Sequence, residues 1–138
     1  MAGPVTEADL GRLAAAAREA SRGAYCPYSG FTVGAAVLDG SGEVVTGANV
    51  ENASYGLTLC AERVAVFQAV TRGLRDLAAL AVYTPTPRPT PPCGACRQVL
   101  HEFGPGAVVY CVCDGPETLR TTVADLLPGA FGAGSLGD

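Results

Sequence analysis

Two short stretches organise this sequence: TLCAER at residues 58–63 and PPCGACR at residues 91–97. Cys93 and Cys96 have the i, i+3 spacing that places two side chains on the same side of a helical turn. Cys60 holds the equivalent place at the start of the other stretch. Thiols at a helix N-terminus ionise easily, because the helix dipole stabilises the thiolate. The two stretches therefore predict two helices that begin at cysteines.

The hydrophobic pattern around these stretches alternates between helical and strand periodicity. The predicted helices run from a capping box at Thr6 to about Arg22–Gly23, from Thr58 to Arg72, and from Cys93 to Gly104. The predicted strands are Phe31–Leu38, Glu43–Val50, Leu77–Tyr83, Ala107–Cys113 and, more weakly, Thr118–Val123. The Pro-rich segment Thr84–Pro92 is interpreted as a shaped connection. This order predicts an α/β layered domain, with a mixed sheet covered by helices on both faces.

Length and composition favour one ordered domain. The chain has 138 residues, of which 49% are hydrophobic and 16% charged, values typical of a folded protein. No apolar run approaches the roughly 18 residues that a membrane span needs. The Ala-rich start carries charges at intervals, which is typical of an amphipathic helix and not of a signal peptide. We therefore expect a cytoplasmic, reducing location.

Charge and cysteine content narrow the possible partners. The net charge is −4, and the nine basic residues are all Arg and scattered singly. Binding to a phosphate backbone needs a basic stripe, so nucleic acid is not an expected partner. In a reducing compartment, six cysteines favour a metal-binding or catalytic use over a disulfide framework.

Zinc is the metal that this set of thiols favours. Cys60, Cys93 and Cys96 form a soft donor set suited to tetrahedral coordination. A redox Cys-x-x-Cys pair is an alternative, but it leaves Cys60 and Glu62 unexplained. A structural zinc site would need a fourth protein ligand, which the sequence does not clearly offer. Three ligands leave one position for water, as in catalytic zinc sites.

The remaining candidates for a fourth ligand have simpler interpretations. Cys111 and Cys113 alternate within a buried strand and are expected to pack as small hydrophobic side chains. Cys26 follows a tyrosine in a loop and is expected to be structural. His101 lies beyond the ligand turn of its helix and is expected at the surface or in packing.

Glu62 is the predicted general acid–base group. Positions i and i+2 of a regular helix point apart, so Cys60 and Glu62 share a site only if Cys60 precedes the regular helix. Three thiolates and Zn²⁺ carry a net charge of −1, which opposes ionisation of a water molecule. The helix N-termini and Arg63 are expected to offset this charge, and Arg97 is a weaker candidate.

Four stretches carry a resemblance to a known family: AYCPYSGFTVGAAV, NVENASYGLTLCAER, PPCGACRQVL and LLPGAF. Together they resemble the small homotetrameric cytidine deaminases that bind zinc through three cysteines. The resemblance spans about residues 7–131. It implies a three-layer α/β/α fold with a mixed five-stranded sheet, in one domain at residues 1–131, followed by a Gly-rich tail at 132–138. It also implies one Zn²⁺ per subunit and a homotetramer with its active sites at subunit contacts.

The same resemblance implies a reaction and roles for single residues. The family hydrolyses cytidine and 2′-deoxycytidine to uridine or 2′-deoxyuridine and ammonia, and Glu62 would protonate N3 and then the departing amine. The resemblance implies that Phe31 packs against the pyrimidine and that Asn49 and Glu51 bind the ribose 3′-hydroxyl. It also implies that the Ala61 N–H and the Cys93 carbonyl lie near the reacting edge of the base and that Arg63 bonds to the thiolates. Tyr55 and Phe131 would act across subunit contacts to complete a neighbour's pocket.

Three alternatives stay open at this point. The first is a deaminase of a cytosine-containing natural product or antibiotic, against which a ribose-binding pair at Asn49 and Glu51 argues. The second is an inactive zinc-stabilised assembly module, which would have no need of Glu62. The third is polynucleotide editing, which the acidic net charge disfavours.

Overall fold

The structure, a computed structural model, describes residues 4–137; residues 1–3 and 138, the outer ends of the predicted domain and tail, lie outside this range. The helices and strands, in chain order, are α1 (Glu7–Ala20), β1 (Gly34–Asp39), β2 (Val44–Ala48), α2 (Ala61–Thr71), β3 (Leu77–Tyr83), α3 (Gly94–Phe103), β4 (Val108–Val112), β5 (Leu119–Thr122) and α4 (Val123–Leu126). Short 3-10 turns occupy Ser21–Gly23, Tyr55–Leu57 and Ala133–Leu136. Among the described residues, no helix combines the length and apolar character needed to cross a membrane.

The five strands form one mixed sheet in the order β2-β1-β3-β4-β5. β3 and β4 run parallel, and the other neighbouring strands are antiparallel. The parallel pair is joined through α3, because parallel neighbours need a crossover connection. The predicted mixed sheet of five strands is confirmed.

Helices cover both faces of this sheet. On one face, Leu13 and Ala17 of α1 pack with Ala36 and Ala81. On the other face, the apolar sides of α2 and α3 pack against alternate residues of the same strands; this core includes Ala35, Val37, Ala65, Val66, Leu80, Leu100 and Val109. The predicted three-layer α/β/α arrangement is therefore confirmed.

Two elements begin later than their sequence patterns predict, because contacts from distant segments fix the backbone before them. β1 starts at Gly34 and not at Phe31, since the side-chain amide of Asn49 accepts from the Val33 N–H at 2.9 Å and donates to the Phe31 carbonyl at 2.7 Å. α2 starts at Ala61 and not at Thr58, since the segment before it pairs as a β-bridge with Val50.

Gly47 sets how closely α2 approaches the sheet. A Cβ at this position in β2 would lie 2.5 Å from the Ala65 nitrogen and 2.9 Å from the Ala61 carbonyl oxygen. Side chains do not tolerate such contacts with backbone atoms, so only glycine allows this packing. Because Ala61 is the first residue of α2, this contact also fixes where the helix begins relative to the sheet.

Candidate active site

The candidate active site is a cavity of about 260 Å³ at the carboxyl end of β3, bounded by the starts of α2 and α3. Binding sites in α/β sheets commonly lie at this end of the strands. Six of the predicted site residues line the cavity: Phe31, Asn49, Cys60, Ala61, Glu62 and Cys93. Segments distant in the sequence are thus brought to one place.

The three predicted thiols form one compact cluster. The Sγ atoms of Cys60 and Cys93 are 3.9 Å apart, those of Cys93 and Cys96 are 3.5 Å apart, and all three lie within 4.8 Å of one another. Tetrahedral zinc with Zn–S bonds of about 2.3 Å requires sulfur atoms about 3.8 Å apart. The donor set and its spacing therefore fit a zinc ion.

The backbone explains how thiols at these positions converge. Cys60 and Cys93 are the N-cap residues of α2 and α3, with extended φ and ψ of −71° and 153° and of −69° and 170°. Neither side chain makes a capping hydrogen bond to its helix. Because Cys60 lies outside the regular helix, its thiol and the Glu62 carboxyl group both reach the cavity, as the sequence predicted.

Charge in the cluster is unevenly shared between the thiols. The Cys96 thiol and, after it, the Arg63 guanidinium lower the pKa of Cys60 to about 5, although burial acts in the opposite direction. The pKa of Cys96 is raised, because its thiol bonds to Cys60 and is buried. Arg63 donates from Nη2 to the Cys60 sulfur at 3.6 Å. A divalent cation is the group that allows three crowded thiols to ionise together.

Glu62 is the buried acid at the floor of the cavity. It is 6% exposed. Burial is the main cause that raises its pKa to about 7; the Cys60 charge adds to the shift and Arg63 opposes it. A carboxyl group with a pKa near the working pH both accepts and returns a proton readily, which suits a general acid–base group.

Asn49 and Phe31 form one wall together. Asn49 is 7% exposed, and its side-chain amide holds the Phe31 carbonyl and the Val33 N–H through the two bonds described above. Asn49 thereby fixes the segment that carries the Phe31 ring, which remains 40% exposed. One N–H of its amide stays available for a ligand.

Glu51 and Tyr55 line a neighbouring groove that meets the cavity at Thr58. The Glu51 carboxylate accepts from the N–H groups of Tyr28 at 3.0 Å and Ser29 at 3.1 Å, and from the Ser29 hydroxyl. The Ser29 hydroxyl is the main cause that lowers the pKa of Glu51. Tyr55 is 75% exposed and contacts the Tyr28 ring edge-on, with centroids 5.9 Å apart.

Phe131 lies apart from the cavity of its own chain. It is 58% exposed and is absent from the residues that line the cavity. Its carbonyl accepts from the Gln98 side chain at 2.9 Å, which ties the C-terminal segment to α3. Within one chain, the structure therefore does not bring Phe131 to the thiols.

Several minor sequence expectations are resolved by the contacts. Arg97, the weaker candidate for offsetting the thiolate charge, donates to the carbonyls of Pro92 at 2.7 Å and Leu126 at 2.9 Å and not to a thiol. Cys111 is fully buried, and burial raises its pKa to about 12, which confirms the core assignment. His101 packs against Gly132, outside the thiol cluster.

Sequence reasoning missed the part of the cavity wall formed by the end of β3 and the Pro-rich connection. Val82, Thr84, Thr90 and Pro91 line the cavity there. Val82 and Thr84 are two positions apart and therefore point to the same side of the sheet. The Pro-rich composition of the following segment hid this pattern, because it gives no periodic signal.

Comparison with known proteins agrees with this geometry. Residues 8–112 match the family described as the cytidine and deoxycytidylate deaminase zinc-binding region. The chain is 54% identical over 121 residues to a cytidine deaminase of Halalkalibacterium halodurans, covering 87% of this chain and 92% of that protein. A cytidine deaminase of Mycobacterium tuberculosis is 47% identical over 130 residues, covering 94% and 95%. The crystal structure of cytidine deaminase from Burkholderia pseudomallei has a TM-score of 0.85 at 48% identity, covering 88% and 98%.

Proposed function

This chain belongs to the cytidine and deoxycytidylate deaminase family, and from that premise we propose that it removes the 4-amino group of cytidine and 2′-deoxycytidine by hydrolysis. The products are uridine or 2′-deoxyuridine and ammonia, as in pyrimidine salvage. The observation that carries the proposal is the buried Glu62 in the cavity lined by Cys60 and Cys93, two members of the three-thiol cluster.

One zinc ion is the cofactor. Cys60, Cys93 and Cys96 supply three ligands whose spacing fits the ion. Bound zinc supplies the Lewis acidity that makes a water molecule nucleophilic near neutral pH. Arg63 partly neutralises the thiolate charge, through its contact with the Cys60 sulfur.

Glu62 carries the protons in this proposal. Its carboxylate accepts one proton from the attacking water and passes it to N3 of the pyrimidine, while the oxygen bonds to C4. It then carries the remaining hydroxyl proton to the departing nitrogen, so that the C4–N bond breaks and ammonia leaves. Burial supports this role, because a proton shared between a buried carboxyl group and the base is shielded from bulk water.

The substrate is held from several sides. Phe31 packs on the pyrimidine, the Ala61 N–H at the start of α2 donates to the base, and the Cys93 carbonyl faces its reacting edge. Asn49, which is buried, and Glu51, in the neighbouring groove, bind the ribose 3′-hydroxyl; polar groups placed to bond a hydroxyl discriminate against substrates that lack it. Asn49 supports this through its free amide N–H.

A nucleoside fits better than a nucleotide. Within residues 4–137, no Arg or His lines the cavity or the neighbouring groove, and Glu51 carries negative charge beside the expected ribose position. A 5′-phosphate would meet that charge without a cationic partner, which is unfavourable.

The experiment that tests the proposal follows the ultraviolet spectrum of cytidine with the zinc-loaded protein, with chelated protein, and after zinc is restored. We expect conversion to uridine that disappears with the metal and returns with it. Deoxycytidylate should react with at least about fivefold lower kcat/KM, from one repulsive ionic contact worth about 1 kcal/mol or more. No conversion of cytidine by the loaded protein, or faster conversion of a sugar-modified cytosine nucleoside, would contradict the proposal.

We further propose a cytoplasmic homotetramer in which residues 1–131 form the deaminase domain and the tail reaches a neighbour. Large apolar side chains are exposed around the groove, which favours contact with a second copy; they are Tyr25, Tyr28, Phe31, Val50, Tyr55 and Leu57. Phe131 is likewise exposed and remote from its own cavity. In this arrangement, Tyr55 and Phe131 complete the pocket of a neighbouring subunit.

Mixed oligomers test whether Phe131 serves a neighbour. Phe131→Ala should lower kcat/KM for cytidine by about tenfold or more with unchanged zinc content, because burying a Phe side chain contributes about 1.5–3 kcal/mol. Leu136→Ala, which changes another exposed apolar residue of the C-terminal segment, is the control. Mixing Phe131→Ala with Glu62→Gln subunits should restore activity, since the second variant supplies an intact Phe131 to sites that retain Glu62. Absence of any recovery in verified mixed oligomers would mean that Phe131 does not act across subunits.

A further inference from the structure

A row of threonine hydroxyls runs from the cavity into the Pro-rich connection. Thr84 is 2% exposed, and it lines the cavity together with Thr90. The Thr84 hydroxyl oxygen lies 2.8 Å from that of Thr86 and 3.4 Å from that of Thr90. Thr86 in turn donates to the Arg88 carbonyl at 2.6 Å. The cavity is otherwise mostly apolar on this side, where its neighbours are Val82 and Pro91.

The Arg88 carbonyl at the end of the row determines which threonine hydroxyls donate and which accept. A hydroxyl group has one proton to donate and two lone pairs to accept with. Thr86 gives its proton to the Arg88 carbonyl, so across the 2.8 Å contact it accepts, and Thr84 donates. The longer contact also has Thr84 as the donor and Thr90 as the acceptor. The single Thr84 proton is therefore used within the row, so the Thr84 oxygen can only accept from a ligand in the cavity, and the Thr90 proton stays available to a ligand.

The sheet order places this wall on the β3 side of the cavity and α2 on the side of β2 and β1. α2 packs on β2 and β1, whereas Thr84 follows β3, on the other side of β1. In the proposed function, Glu62 serves N3 and the Ala61 N–H serves the same side of the pyrimidine. C5 and C6 lie across the ring from N3 and C2. A base held in this way would turn its C5 edge toward Thr84 and Thr90, which line the cavity on the β3 side.

We infer that Thr84 and Thr90 determine specificity for the substituent at C5 of the pyrimidine. The inference rests on the proposed function and adds a substrate class to it: cytosine nucleosides whose C5 group donates a hydrogen bond, such as 5-hydroxymethylcytidine. An alkyl group of the same size would leave the accepting lone pair of the buried Thr84 oxygen unpaired and displace water from it. Leaving a buried polar atom unpaired is unfavourable.

Paired changes in substrate and protein test this directly. The kcat/KM ratio of 5-hydroxymethylcytidine to 5-ethylcytidine compares two C5 groups with the same number of non-hydrogen atoms. This ratio should fall about fivefold in Thr84→Val, since a net hydrogen bond is worth about 1 kcal/mol. Thr90→Val should also lower this kcat/KM ratio. Thr71→Val is the matched control, because that hydroxyl donates to the Gln68 carbonyl within α2, away from the cavity, and its ratio should match that of the unchanged protein.

Cytidine turnover, measured in the same assays, distinguishes a failure of the C5 specificity from a failure of the proposed function. A ratio in Thr84→Val and Thr90→Val equal to that of the unchanged protein, with cytidine still deaminated, would overturn the inference and leave the proposed function standing. No deamination of cytidine by the unchanged, zinc-loaded protein would instead overturn the proposed function. If Thr84→Val fails to fold, the exposed Thr90→Val decides. Competitive inhibition by 5-hydroxymethyluridine and 5-ethyluridine gives the same comparison without turnover and should show the same preference.

Discussion

Glu62→Gln is expected to lower kcat for cytidine by about 10²–10⁴-fold, the range that a positioned acid–base group contributes. The amide has nearly the same shape as the carboxyl group but cannot accept and return a proton. It also adds no charge to a site that is 6% exposed, so the fold and the thiol cluster should be retained. The measurement is kcat by ultraviolet absorbance, alongside zinc per chain and thermal unfolding.

Glu102→Gln provides the matched control for this substitution. Glu102 lies on α3 and is exposed, so the same chemical change should leave kcat, zinc content and stability as they were. Substantial turnover by Glu62→Gln with full zinc content would remove Glu62 from the mechanism. Loss of zinc by this variant would instead show that the carboxyl group supports the metal site.

Cys96→Ser is expected to lower zinc affinity by more than about 100-fold, beyond the 10–100-fold that loss of a ligand's supporting contact costs. The three thiols are the whole ligand set offered by residues 4–137, and serine is a poor zinc ligand beside cysteine. Turnover should fall in proportion to the zinc lost. Chelator competition measures the affinity, and metal analysis measures the zinc per chain.

Cys113→Ser distinguishes loss of a ligand from loss of a buried thiol. Cys113 is also buried, and its thiol donates to the carbonyls of Gly115 at 3.7 Å and Glu117 at 3.4 Å. A serine hydroxyl can make the same bonds, so this variant should keep its zinc and its activity. Full zinc occupancy and normal turnover in Cys96→Ser would exclude Cys96 from the metal site.

The sequence predicted most of the fold because most of it is encoded locally. Leu77–Tyr83 was predicted with both ends correct, since a short apolar run is bounded there by charged and Pro-rich segments. The starts of β1 and α2 were predicted too early. Their positions depend on the Asn49 side chain and on the bridge to Val50, which are contacts between distant segments. Local periodicity contains no information on such contacts.

In the candidate site, too, residues within short local stretches were predicted, and residues brought in by the fold were not. The thiols and Glu62 were identified because their chemistry depends on spacing within two short stretches. Thr84 and Thr90 were missed, since only the fold shows that the Pro-rich connection borders the cavity. Arg97 was assigned a charge role from its adjacency to Cys96, but its side chain turns away to two carbonyls. Sequence adjacency did not determine the direction of that side chain.

The use of cysteine at both N-cap positions has a consequence for maturation of the protein. Ser, Thr, Asp or Asn at such a position would satisfy a free backbone N–H and contribute about 1 kcal/mol, whereas Cys60 and Cys93 make no such bond. The first turns of α2 and α3 are therefore weakly held until the metal joins them. We expect bound zinc to stabilise these first turns, because it joins the two N-cap thiols. A chain short of zinc should then be both inactive and more readily cleaved at these two turns.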